Sequence, residues 1–422
     1  MSSSSTIVNV AEDAELRLVR VLSQTAKSES FIQDCQACIR NGNAAQLVQT
    51  VVKDDGALGA LFVMEPADEA VSAFSLLTAL LTRVGREEEE SLAKQLADAV
   101  AGYQIPGDGD VVAQRKVSLL SVLYNMRGNG TEKCSLLARM VEIAGANNPG
   151  LLEQGKPLGD ILHDDLDSNL PTVGPKTPRI VAMLDAWQVP VPNRRALYLS
   201  AVRGVGAGSP REQRFLLLFV ESYKDAKGVD DQGLAVAKEA ALGAIIDPVS
   251  LFIHQRSMLS MPAIQALATQ QETATLFGLL KVFQEGKLDD YHSFINANGG
   301  EAQVLKPYGL SSETCIRQMR ILSLCSLSAE HEEIPYSVVA KTLLLPSEDE
   351  VESWVIAAVS SGLLSAKMDQ LQQKVMVERC VVRRFDTEQW KLLQSRLKEW
   401  KQNVGGVING LKQSQNGSSQ PI

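Results

Sequence analysis

Apolar residues recur at helical spacing along most of the chain: Ala70, Phe74, Leu77, Leu81 and Val84, then Cys134, Leu137, Val141 and Ala144, then Leu276, Leu280 and Phe283. Residues three and four apart share one side of an α-helix, so each set predicts a helix with a single apolar stripe. Turn chemistry fills the intervals, at Gly102, Gly107 and Gly109, at Gly128-Asn129-Gly130, from Gly204 to Pro210, and at Asn298-Gly299-Gly300. Helices joined by short polar turns, with no alternating strands between them, predict an all-α array. The spacing has no fixed repeat period. The expectation is therefore an irregular helical-repeat solenoid, in which each hairpin buries its stripe on its neighbours.

The pattern changes near Ser311. One helix is predicted to about Ala329, a second from Pro335 to Leu344, and a third after Ser347, whose capping box with Glu350 would satisfy orphan backbone donors. The third helix would bury Val351, Trp354, Val355 and Ala358 as the core of this module, and Gly362 would stop it. The period then drops to two. Leu364, Ala366 and Met368 alternate with polar neighbours, Asp369 to Gln373 form a polar turn, and Val375 and Val377 alternate again. Three helices followed by a β-hairpin give the order of a winged helix, and the strand of Val375, Met376 and Val377 is expected to offer a free edge to a partner.

A last helix is predicted from Asp386. It carries Trp390, Leu393, Leu397, Trp400, Val404, Val407 and Leu411 at alternating spacings of three and four. Such a seam needs a facing surface, in its own domain or on another chain. Seven segments result: a disordered start at 1–10, N-terminal repeats at 11–146, a surface excursion rich in Pro and Gly at 147–178, further repeats at 179–310, the winged helix at 311–385, the terminal bundling helix at 386–412, and a disordered tail at 413–422.

Composition narrows the function classes. In 422 residues, 45% are apolar and 22% charged, the balance of a chain with a large core. Lysine and arginine number 41 against 50 acids, a net charge of -9, so no whole-protein field draws it to phosphate backbones or anionic membranes. The opening Met1 to Thr6 lacks the pattern of a signal peptide, and the run from Phe215 to Val220 is too short to cross a bilayer, so a cytoplasmic location is expected. Six scattered cysteines suit buried thiols rather than a disulfide framework, and the Asn129-Gly130-Thr131 sequon should stay unmodified.

No reactive constellation emerges. The four histidines fall in separate segments, and His163-Asp164-Asp165 lies in the excursion, where a solvated loop is the simpler reading than a metal site. Cys35-x-x-Cys38 lacks a second pair for zinc. Gly204-Val205-Gly206-Ala207-Gly208 has glycines like a phosphate loop but follows a helix, so a connecting loop is expected. Glu87 to Glu90 should open a helix, facing the positive end of its dipole as a solvated face. Helix three of the winged helix holds Glu348, Asp349, Glu350 and Glu352 with no basic residue through Ser361, the wrong sign for a nucleic-acid groove. Arg379, Arg383, Arg384 and Lys391 are the candidates for a direct RNA contact. No enzyme activity, cofactor or metal is expected.

Repeats leading into a winged helix and a terminal helix resemble the PCI family of the proteasome lid, the COP9 signalosome and initiation factor 3. The text KMDQLQQKVMVERCVVRRFDTEQWKLLQSRLKEWKQNV, Lys367 to Val404, is similar to the initiation factor 3 branch, as is RQMRILSLCSL from Arg317 to Leu327. Weaker likeness lies at Asp247 to Phe252 and Leu119 to Met126. Two features depart from the family: the 147–178 stretch looks like an insertion, and Gly405-Gly406 should end or kink the terminal helix. The resemblance implies a scaffold subunit that supports assembly of the small-subunit preinitiation complex and recruitment of messenger RNA and initiator tRNA. Its implied partners are other initiation factor 3 subunits, met through the winged helix and terminal helix, and the small ribosomal subunit through the complex. Alternatives are a signalosome or lid scaffold and a winged-helix nucleic-acid-binding regulator.

Overall fold

The computed structural model describes residues 12–26, 30–104, 109–153, 157–162, 179–206, 208, 210–249, 258–383 and 387–417. The chain forms two compact units, Met1–Ser222 and Tyr223–Ile422.

The first unit contains α1 (Glu12–Leu22), α2 (Phe31–Arg40), α3 (Ala44–Lys53), α4 (Asp55–Val63), α5 (Ala67–Leu81) and α6 (Arg86–Gly102). It continues with α7 (Gly109–Met126), α8 (Gly130–Asn147), α9 (Pro157–Leu162), α10 (Arg179–Ala186), α11 (Val191–Val205) and α12 (Pro210–Glu221). Helices adjacent in sequence pack on one another, α2 on α3, α7 on α8 and α11 on α12, and α8 also meets α11. The expected stripes are the contact surfaces: Ala70, Phe74, Leu77 and Leu81 of α5 are buried, as are Cys134, Leu137, Val141 and Ala144 of α8. Val84 lies beyond the end of α5 and is half-buried.

Local chemistry sets the helix starts. Asn129 caps α8, its Oδ1 accepting from Thr131 N at 3.0 Å, so the sequon serves as a helix cap. Glu87, Glu88 and Glu89 occupy the first turn of α6. Glu89 departs from the expected solvated face, because it faces the buried Arg127 at 2.8 Å.

Gly204 corrects the loop reading. It belongs to the last turn of α11, and a Cβ built on Gly145 of α8 would strike it, coming within 2.8 Å of its carbonyl carbon and oxygen. These glycines let two helix backbones touch, and only beyond them does Gly206, with φ +91°, open the turn. The excursion is also less superficial than expected. Leu152, in a 3-10 turn at Pro149–Leu152, and Leu158 and Leu162 of α9 are buried. Leucines among the prolines and glycines supply enough apolar surface to dock the segment. His163-Asp164-Asp165 lies outside the described residues, as do residues 1–10.

The second unit holds α13 (Asp231–Ile246), α14 (Pro262–Thr269), α15 (Ala274–Glu285), α16 (Leu288–Ala297) and α17 (Glu301–Val304). Leu276, Leu280 and Phe283 of α15 are fully buried. After them come α18 (Ser312–Glu330), β1 (Glu333–Pro335), α19 (Tyr336–Thr342), a 3-10 turn at Glu348–Glu350, α20 (Val351–Ser360), β2 (Leu364–Asp369) and β3 (Lys374–Cys380). The chain ends in α21 (Thr387–Gly417). No helix among the described residues is long and apolar enough to cross a membrane.

Candidate functional site

Helices α18, α19 and α20 with the strands form a winged helix whose sheet has the order β1-β3-β2. Val351, Val355 and Ala358 of α20 fill its core. Trp354 does not join them. It is half-buried, with the Arg320 guanidinium of α18 stacked over its ring at 5.0 Å, so it closes the rim of the core through a cation-π contact. Ser347 caps the helix start through Asp349 N at 3.2 Å, within a 3-10 turn, rather than in the expected box with Glu350. Gly362 ends the third helix with φ +79°.

The sheet overturns the expected free edge. Glu333, Ile334 and Pro335 pair with Met376, Val375 and Lys374, so β3 is the central strand. Val377 N donates to Glu332 O at 2.8 Å and Tyr336 N donates to Gln373 O at 2.9 Å, extending that cover. Val375 is fully buried. A proline at Met376 would break the module itself. Among the described residues β2 pairs only with β3, which leaves the outer side of β2 as the edge. The covering strand escaped the sequence reading because three residues are too few for a period.

Arg383 is likewise not a surface cation. Its guanidinium donates to Phe283 O at 2.7 Å, Leu322 O at 3.1 Å and Ser326 Oγ at 2.9 Å, pinning the segment after β3 to α15 and α18. Burial pulls its pKa down to about 10. Arg379 and Lys391 are exposed, and Arg384 lies outside the described residues.

Helix α21 runs without interruption from Thr387 to Gly417, through Gly405-Gly406 and past the expected boundary at 412. Two glycines cost about 1 kcal/mol each, too little to break a helix this long. Its seam faces outward: Trp390 is 62% exposed, Leu397 55% and Trp400 67%, and Leu393, Val404, Val407 and Leu411 are exposed as well. Lys391, Lys398 and Lys401 line a groove beside Trp390, Leu393 and Leu397. The seam of seven large apolar residues is thus flanked by positive charge on one side.

Elsewhere the chemistry is quiet. Cys35 and Cys38 are buried in α2, and burial pushes the Cys35 thiol up to about 12 and raises that of Cys38, far from the thiolate needed for metal or redox work. Among the described residues no cluster of three or more His, Cys, Asp or Glu could hold a metal ion.

A winged helix at the end of a helical array, with a long solvent-facing helix behind it, defines a PCI-type scaffold, and the PCI domain family matches residues 288–379. The family described as "eIF3 subunit M, C-terminal helix" matches residues 383–411, the segment that includes the exposed seam. Eukaryotic translation initiation factor 3 subunit M of Dictyostelium discoideum is 24% identical over 96% of this chain and 94% of its own length. The subunit M of Phaeosphaeria nodorum is 30% identical over 57% of this chain and 54% of its own, and that of Nematostella vectensis is 28% identical over 54% and 58%. The chain is thus similar to this subunit M over nearly its whole length and carries a PCI match in its last third.

Proposed function

We propose that the chain is a non-catalytic scaffold subunit of eukaryotic translation initiation factor 3, acting in the cytoplasm on the small-subunit preinitiation complex and so supporting messenger RNA and initiator tRNA recruitment. The observation that carries this reading is the coincidence of the terminal-helix family match with a seam of Trp, Leu and Val side chains exposed to solvent. Burying two tryptophans could contribute roughly 4 to 6 kcal/mol each, before ordering and association costs. That is enough to decide assembly. The seam and the β2 edge are the surfaces assigned to partner subunits, in place of the covered strand at Val375 to Val377. Gradient sedimentation of a gentle lysate tests the reading: the chain should migrate with small ribosomal subunits and co-purify with the other factor subunits. Migration free of both would overturn it.

A further inference from the structure

The outward side of α20 and the tip of the wing form a second apolar surface, distinct from the seam of α21 and from the strand edge. Glu352, Ile356 and Val359 stand at i, i+4 and i+7, so they share one face of the helix, and Ile356 is 54% exposed. The face is joined to the wing. Gln370 Nε2 donates to Glu352 Oε2 at 3.0 Å, and Asp369 Oδ1 accepts from Leu371 N and Gln372 N at 3.0 Å each. That turn leaves Leu371, next in the chain to Gln370, with 98% of its surface exposed.

Leucine at a turn tip forgoes all the stabilisation that burial would give it, and nothing in the turn's own hydrogen bonding requires an apolar residue there. Ile356 and Val359 likewise stand outside the core formed by Val351, Val355 and Ala358, with 54% and 39% of their surface exposed. The segment leading into them is acidic, with Glu348, Asp349 and Glu352 at the start of the helix, and no Lys or Arg occurs from Ser347 to Ser361. In winged helices that bind nucleic acid this is the groove-entering helix, and here phosphates would be repelled from it.

We infer that this face docks an amphipathic helix of a partner protein chain, whose apolar side chains cover Ile356, Val359 and Leu371 and whose flanking lysines or arginines meet Glu348, Asp349 and Glu352. An apolar centre beside an acidic segment selects a basic amphipathic helix and disfavours nucleic acid, acidic segments and this chain's own equally acidic face. The contact is small, so it adds to a larger association rather than replacing it. It stands independently of which complex the chain enters.

The experiment places a photo-crosslinking p-benzoylphenylalanine at Leu371 and, separately, at Ile356 in the full chain in living cells, and sequences the adducts by mass spectrometry. Both positions should mark the same stretch of one partner chain, in which apolar residues at helical spacing are bordered by Lys or Arg. Glu352→Lys with Glu348→Lys should cut the adduct yield at Leu371 by about tenfold, as expected for reversed charge. Ile356→Asp, an exposed change with no role in the core, should cut it comparably. Adducts to RNA, to a second copy of this chain or to acidic or neutral stretches would overturn the inference, as would no adduct at either position or yields unmoved by both variants. Sedimentation with the ribosomal subunit is read separately, so the scaffold reading can stand while this docking face falls.

Discussion

Arg383 holds three acceptors with one planar group, and one of them, Phe283 O, lies in the last turn of α15 where no helical N–H reaches it. Phe283 O is the carbonyl of a residue near the end of α15, Leu322 O and Ser326 Oγ lie one turn apart on α18, and the guanidinium spans them at 2.7 to 3.1 Å. Methionine at this position would fill similar volume but strand Phe283 O. Arg383→Met is expected to lower the unfolding free energy by about 1 to 3 kcal/mol, the cost of one unsatisfied buried carbonyl. Urea denaturation followed by tryptophan fluorescence measures it, and a loss under about 1 kcal/mol would mean the carbonyl finds another donor. Lysine should recover little, since a point charge cannot reach three directions at once.

At the scale of elements, α21 and the helices of the array bury their apolar residues differently. Leu276 and Phe283 in α15 are sealed inside the second unit, whereas Leu397 and Trp400 in α21 face solvent. The isolated chain therefore gains nothing from them. Replacing both, Leu397→Asp with Trp400→Asp, should leave thermal unfolding of the isolated chain unchanged within about 0.5 kcal/mol, as for surface positions. The same change should remove the chain from its assembly, because two carboxylates would have to be desolvated at the seam. Co-purification of the double variant at wild-type level would show that the seam is not the anchor and that the β2 edge or the helical array carries assembly. The lysine border at Lys391, Lys398 and Lys401 makes the same association salt-sensitive.

Across the whole molecule, both units hide thiols. Burial pushes Cys35 up to about 12 and Cys134, Cys315 and Cys325 up to about 11, from an ordinary value near 9.0. Below pH 9 these thiols are protonated in folded and unfolded chains alike, and their contribution to stability is complete. Above it the unfolded chain ionises first, so stability falls as pH rises toward the folded values, by about 1.4 kcal/mol per pH unit for each thiol that ionises only on unfolding. Denaturation midpoints should be flat from neutral pH to about pH 9 and drop steeply over the next two units. A flat profile to about pH 11 would mean that these thiols ionise equally in both states.

How much of this was legible in the sequence depends on the range of the cause. Helical stripes such as Cys134 to Ala144, the turn at Gly128-Asn129-Gly130, the helix start near Ser347, the stop at Gly362 and the period change at Leu364 are local, fixed by residues within a turn or two of one another, and the sequence alone determined them. The exposed seam of α21 was visible as a heptad for the same reason, although its outward orientation was not. Tertiary structure decided what depends on neighbours distant in the chain. Glu333–Pro335, too short to show a period, covers β3 and moves the free edge to β2. Arg383 looks like surface charge until α15 and α18 close over it, and Gly204 looks like a loop until Gly145 of α8 arrives against it. Burial is a property of what packs on a residue, and only the folded chain brings those partners together.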